Sequence, residues 1–454
     1  MKLYSSNGEY SLYQGNMLEM LETIKPNSID SIVTDPPYEL NFMGKGWDNA
    51  GVSFQIDTWK KCFEVLKDGG YLLVFGGTRT YHRIACAIED AGFEIRDTIM
   101  WLYGSGFPKS MNIGLAIDKK NGVDNRTGNI KKDGFGSDSD SKIYNVNNGK
   151  SKLTKEYEER IAQNQWQGWG TALKPSFEPI IVARKPFKGS LVDNIIENGV
   201  GGINIDECRI EHNEKVKLTN RQSRKDGTVF DNNNSGFDNS KLKMASASPE
   251  GRFPANTILT YDETDFDEVC GGFPYTKGSS NPRKNSDKNV NTYKFKSCIS
   301  QNDSWGDSGS ASRYFYCAKA SKKDRDEGLD EFEEKNTMCD RNPELASANM
   351  PQNRSGNLRK NTHPTVKPTT LMQYLVRLVT PNGGTVLDPF NGSGSTGKAV
   401  MYENKERNKK YKYIGIELTD EYLPISKARI EYVCNLKEEQ PKEKQLELFE
   451  GELR

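Results

Sequence analysis

Apolar residues along the first part of the chain recur in two alternating rhythms. Ile29-Asp30-Ser31-Ile32-Val33 and Tyr71-Leu72-Leu73-Val74-Phe75 are short, mostly apolar runs of the kind a buried strand needs. Between them the period changes. Met17, Met20, Leu21 and Ile24 fall on one helical face, and Phe54 to Leu66 reads as an amphipathic helix stopped by Gly69-Gly70. Tyr10 to Tyr13 and Glu94 to Tyr103 are further strands, and a helix through Ala91 follows the Gly76-Gly77 turn. Strands alternating with helices imply a parallel sheet covered on its faces.

The rhythm breaks at about residue 111 and returns after His363. The stretch between is rich in Asn, Ser, Gly, Lys and Asp, with islands such as Phe177 to Ala183, and segments 130–152 and 220–250 read as mobile loops. An irregular stretch this long inside a compact domain usually carries function. Leu371 to Val379 is then an apolar helix, Thr385 to Asp388 a strand, and Ser395 to Tyr402 a helix. Tyr413 to Glu417 is a strand and Asp420 to Cys434 a helix, before a charged tail from Lys437. The expected organisation is therefore an α/β domain in two pieces, 1–110 and 361–436, with 111–360 inserted and 437–454 as a tail.

Composition narrows the classes. The 454 residues carry no formal net charge, so attraction to DNA must come from local basic patches. Mean hydropathy is -0.78, and no apolar run approaches the roughly 20 residues that span a bilayer. The first residues lack the apolar stretch of a secretory signal. Eight cysteines without a C-x-x-C spacing and three histidines suggest neither a disulfide framework nor a metal site. A soluble cytoplasmic protein with reduced thiols is expected.

Two motifs carry chemistry. Thr34-Asp35-Pro36-Pro37-Tyr38 follows the first buried strand. Proline fixes φ and removes a donor, so this turn presents a carboxylate, carbonyls and a ring face rigidly. Far along the chain, Val386-Leu387-Asp388-Pro389-Phe390-Asn391-Gly392-Ser393-Gly394-Ser395-Thr396-Gly397 is a strand, a glycine-rich turn and a helix start. Such a turn lets backbone approach a ligand at a helix amino terminus. Glu417 ends the next strand, where a carboxylate can hold ribose hydroxyls. The pattern F-x-G-x-G, opened by Asp-Pro, departs from a nicotinamide-dinucleotide fingerprint.

Together these segments resemble the DNA amino-methyltransferases that act on adenine N6 or cytosine N4. Asp-Pro-Pro-Tyr resembles their D-P-P-Y motif, and D-P-F-N-G-S-G-S-T is similar to their S-adenosylmethionine motif. His363-Pro364-Thr365-Val366-Lys367-Pro368 resembles their H-P-T-x-K-P segment, and Trp101 to Lys109 the segment flanking the target-base pocket. Asp-Pro-Pro-Tyr first and glycines last resembles the circularly permuted β-group order. Leu173 to Pro179 and Arg252 to Asn256 are similar to framework segments of phage-type members.

The resemblance implies a Rossmann-like S-adenosylmethionine-dependent fold with an inserted recognition region. It also implies that Asp35 and the Pro36 carbonyl grip the amine of a base flipped out of double-stranded DNA. Pro37 stiffens that turn and Tyr38 stacks on the base. Asp388, Phe390, Asn391, Gly392, Gly394 and Thr396 are expected to bind S-adenosylmethionine, with Glu417, Lys367 and Asn16. Asn16 departs from the family, which usually has an acidic residue after this glycine; an amide oxygen accepts the same hydrogen bond without charge assistance. Asp at the start of the motif tilts the target toward adenine, with cytosine N4 and a catalytically silent binding protein left open. No Pro-Cys pair occurs, which argues against covalent attack on a cytosine ring.

Three further stretches have two readings each. Phe42 and Trp47 either pack in the core or shape the pocket. Residues 277–323 carry ten Lys and Arg against Asp287, Asp303 and Asp307, with aromatics interleaved, and are either a DNA-facing surface or a solvated loop. Gln445-Leu446-Glu447-Leu448-Phe449 resembles the peptide that docks bacterial proteins on the replication sliding clamp, or ends a helix.

Overall fold

The computed structural model describes residues 2–40, 51–103, 110–123, 162–210, 253–260, 315–316, 320–336 and 358–436. Phe42, Trp47, Gly104 to Lys109, segments 130–152 and 220–250, most of 277–323 and the tail with Gln445 to Phe449 lie outside them. Of the basic stretch, Lys322 and Lys323 are described, and Lys322 pairs with Glu334 at 3.1 Å.

Strands β1 (Lys2–Ser6) and β2 (Tyr10–Gln14) lead to helix α1 (Met17–Leu21) and β3 (Ile29–Thr34). Then come α2 (Ile56–Val65), β4 (Leu66–Phe75), α3 (Tyr81–Asp90), β5 (Glu94–Tyr103) and α4 (Ile113–Lys120). The middle supplies β6 (Phe177–Arg184), α5 (Leu191–Asn198), β7 (Thr257–Thr260), β8 (Phe315–Tyr316), α6 (Lys322–Asp326), β9 (Lys335–Asn336) and β10 (Leu358–Arg359). The last part supplies α7 (Thr369–Val379), β11 (Thr385–Asp388), α8 (Ser395–Arg407), β12 (Lys412–Glu417) and α9 (Leu423–Asn435).

Ten strands form one Rossmann-like sheet in the order β1-β2-β12-β11-β3-β4-β6-β5-β7-β8, while β9 and β10 pair separately. The late strands thus lie between the early ones. β11 runs parallel to β3 with Leu387 beside Ile32, and β12 runs parallel to β2 with Glu417 beside Gln14. Parallel pairing brings Asp35, Asp388 and Glu417 to one carboxyl edge, where open α/β sheets bind ligands. β6 is antiparallel to β4, with Phe75 opposite Ile180, so its amino end carries Glu178 to that same edge.

Residue alternation along the strands splits the core into two layers. Val33, Leu73 and Phe75 pack with Leu375, Val400 and Ile430 of α7, α8 and α9. Ile32, Leu72 and Val74 pack with Met20, Trp59 and Ile84 of α1, α2 and α3. The helix expected from Phe54 to Leu66 is shorter than its pattern. A 3-10 turn covers Val52–Phe54, and Leu66 already belongs to β4. Gly69-Gly70 does not stop this strand but bulges it, because pairing jumps from Ile29 opposite Leu66 to Ser31 opposite Tyr71. Gly69 takes φ +82 there, a conformation other residues resist.

Candidate active site

A cavity of about 1150 Å³ opens at the carboxyl edge and is lined by both motifs. On one side stands Asp35. Its Oδ2 accepts from Lys367 Nζ at 2.7 Å, while its buried Oδ1 has no hydrogen-bond partner among the described residues. Burial pushes the Asp35 carboxyl above its usual range, against the pull of Lys367. Burial also weakens the Lys367 ammonium, but Asp35 and Glu178 outweigh it and hold its pKa above the usual value. Lys367 Nζ lies 3.4 Å from Glu178 Oε2 and 5.3 Å from the Tyr38 ring centre. Tyr38 Oη donates to the same Glu178 oxygen at 2.9 Å, and Tyr103 Oη reaches Oε1 at 3.4 Å. Ser53 Oγ donates to the Pro37 carbonyl at 2.6 Å, and Thr80 Oγ1 to that of Tyr38 at 2.9 Å. The turn is therefore held from several elements.

On the other side lies the glycine turn, held by its own residues and by β3, β12 and α9. Asp388 accepts from Thr34 Oγ1 and Thr396 Oγ1, each at 2.6 Å, and from the Phe390 amide at 3.1 Å. Burial pushes its pKa up to about 6 despite those donors. Asn391 donates to Ser426 Oγ at 2.9 Å and accepts from Tyr413 Oη at 2.8 Å. Glu417 accepts from the Gly392 and Thr419 amides, each at 2.7 Å. Gly392 has φ +52, and a Cβ there would stand 2.9 Å from His363 Nε2. A Cβ on Gly394, at φ +75, would meet Ser426 Oγ at 2.5 Å. These two positions accept glycine only.

The structure thus gathers the expected site residues other than Gly394 around one cavity but divides their work. Asp388, Asn391 and Thr396 spend their polar atoms on holding the turn together and on tying it to β3, β12 and α9. Lys367, expected beside the cofactor, lines this cavity and ion-pairs Asp35. Asn16 stands at the cavity wall with its Oδ1 capping α1 through the Leu18 amide at 3.0 Å. Three residues of the site are not singled out by the sequence as site residues. Glu178 was visible only as part of an ordered island. His363 is a neutral ring, its pKa depressed by burial to about 3, whose Nδ1 donates to the Thr365 carbonyl at 2.7 Å. Asp324 pairs with the fully buried Lys398 at 2.8 Å and accepts from the Thr369 amide at 3.0 Å. Its signal was the capping pattern Ser321-Lys322-Lys323-Asp324, in which Ser321 Oγ accepts from the Asp324 amide at 3.0 Å.

A family model described as DNA methylase matches residues 29–428, which includes both motifs and every strand from β3 to β12. The chain belongs to the DNA methylase family. Its members modify exocyclic amines of bases, at adenine N6 or cytosine N4. The chain is 23% identical over 235 residues to Type II methyltransferase M.HindIII of Haemophilus influenzae, covering 42% of this chain and 64% of that protein. With Type II methyltransferase M.HpaI of Haemophilus parainfluenzae it shares 32% over 104 residues, covering 21% and 32% respectively. The chain thus spans less than two thirds of these curated relatives. Among solved structures it is similar to an M1.HpyAVI-SAM complex, at 14% identity and TM-score 0.34, covering 93% of this chain and 99% of that one. It is similar also to the cytosine-N4-specific PvuII DNA methyltransferase, at 13% identity and TM-score 0.39, covering 93% and 87%.

Proposed function

We propose that this chain transfers the methyl group of S-adenosylmethionine to the exocyclic amine of a base flipped out of double-stranded DNA, adenine N6 before cytosine N4. One observation carries the reading: Asp35, whose buried Oδ1 has no hydrogen-bond partner among the described residues, and the glycine turn line the same cavity. S-adenosylmethionine, when bound, supplies an electrophilic methyl group. Glu417, Asn16 and the turn at Gly392 and Ser393 line the space that would hold it.

An exocyclic amine is a poor nucleophile because its lone pair is delocalised into the ring. Asp35 Oδ1 and the Pro36 carbonyl accept its two N–H bonds, which favours a pyramidal nitrogen with an available lone pair. Positioning and preorganised charge then dominate the rate. Burial raises the proton affinity of Asp35, which suits it to take the proton the amine gives up. Tyr38 supplies the stacking face. We assign the choice of DNA sequence to the inserted stretch between 111 and 360.

Incubation with S-adenosylmethionine and unmethylated DNA, followed by nucleoside mass spectrometry, is expected to yield N6-methyladenosine. N4-methylcytidine would move the target to cytosine, and DNA binding without product would leave a silent binding protein. A second expectation concerns Asn16→Asp. The carboxylate keeps the cap on α1 and adds a charge-assisted acceptor at the cavity wall. Calorimetry should show S-adenosylmethionine bound about fivefold more tightly, a gain of about 1 kcal/mol. Equal or weaker binding would remove Asn16 from the cofactor site.

A further inference from the structure

Glu178 touches three parts of the Asp35 side of the cavity at once. It meets the Tyr38 hydroxyl, the Tyr103 hydroxyl and the Lys367 ammonium. We propose that Glu178 is a positioning residue for methyl transfer, anchoring the Tyr38 ring and sharing Lys367 with Asp35 so that Asp35 keeps an unneutralised oxygen for the substrate amine. This rests on the methyl-transfer reading above.

Geometry fixes the ring. Tyr38 is pinned at both ends, by Thr80 at its carbonyl and by Glu178 at its hydroxyl, and its ring packs where a Cβ on Gly77 would stand 3.2 Å away. A ring so held offers a prepared stacking surface, and the anchor explains a tyrosine where a phenylalanine would also stack. Charge acts beside geometry. Two carboxylates, Asp35 and Glu178, face one ammonium, Lys367, all of them largely buried. Lys367 alone would neutralise Asp35 and weaken it as an acceptor. With Glu178 drawing on the same ammonium, the cluster keeps one excess negative charge. That excess favours positive charge arriving on the amine nitrogen as the methyl group bonds to it. The groups that act on Asp35 are Lys367 before α7, Glu178 on β6, Tyr38 on its own turn and Asp388 at the end of β11.

Glu178→Gln removes the charge and keeps the shape. Its kcat should fall about tenfold or more at nearly unchanged KM for DNA and cofactor. Because Glu178 raises the pKa of Asp35, the acid limb of kcat should also move to lower pH, which a merely structural role would not do. Glu178→Asp, with the charge retained, should leave that limb in place. Wild-type kcat and an unmoved limb in Glu178→Gln would overturn the proposal. Absence of product from the wild-type protein would instead overturn the methyl-transfer reading. If Glu178→Gln fails to bind S-adenosylmethionine by calorimetry, Tyr38→Phe decides the matter. A severalfold lower kcat at unchanged KM supports the anchor, and full kcat overturns it.

Discussion

Asp35→Ala should reduce methyl transfer by about 10³-fold or more while S-adenosylmethionine binds within about threefold of wild type. The two effects separate because of where each polar atom is spent. The glycine turn is held by Asp388, Asn391 and Glu417, none of which leans on the Asp35 side chain. Lys367 loses its 2.7 Å partner but keeps Glu178 at 3.4 Å, so its buried charge is not orphaned. Asp35→Asn is the sharper variant. Lys367 has only donors, so the amide oxygen must face it and the amide nitrogen must take the place of Oδ1. A donor then meets the N–H bonds of the substrate amine, and the variant should be as inactive as Asp35→Ala. Wild-type turnover should itself decline in acid as Asp35 is protonated. Because burial raises that pKa, the decline should lie above the ordinary Asp value of about 3.9. Single-turnover rates with calorimetric cofactor affinities test all three statements. Turnover by either variant would defeat the assignment of Asp35.

Much of this side was legible in the sequence because its parts are local. Ile29 to Val33 ending in Asp35, and Val386 to Asp388 ending in the glycine turn, are strand-then-turn signals within a dozen residues. Their pairing was also open to inference, since strands that carry ligand groups at their carboxyl ends share an edge when they run parallel. Contacts across long separations were not legible. Lys367 reaches Asp35 across 332 positions, and nothing in His363 to Pro368 says which motif its lysine will face. Glu178 depends on β6 running opposite to its neighbours; a parallel strand would have placed it at the far edge. The glycine pair at 69 and 70 failed as a helix-stop signal for a related reason. A bulge and a helix stop both need left-handed backbone, and only the partner strand distinguishes them.

Asp324→Ala should cost about 3 kcal/mol of stability and lower the melting temperature by about 5 °C or more. Lys398 and Arg429 are completely buried behind the glycine turn, and such charges are tolerated only when paired. Asp324 Oδ1 stands 2.8 Å from Lys398 and 4.0 Å from Arg429. Without it Lys398 retains Glu327 at 2.8 Å, which keeps the loss below that of a fully stranded charge. The effect should also reach the cavity. Arg429 donates to the Ser393 carbonyl at 2.7 Å and to Ser395 Oγ at 3.2 Å, so a guanidinium that shifts takes the glycine turn with it. Weaker S-adenosylmethionine binding is expected beside the lower melting temperature, with saturating cofactor recovering part of the loss. The pH dependence identifies the cause. Burial alone would raise the Asp324 pKa, but Lys398 and the Thr369 hydrogen bonds outweigh it and the carboxyl sits below its usual value. A depressed carboxyl stabilises the fold above its unfolded pKa of about 3.9 and loses that contribution as pH falls through the folded value. The melting-temperature gap between wild type and Asp324→Ala should therefore be full at pH 7 and shrink in acid. A gap independent of pH would mean that Asp324 acts through packing and not through its charge.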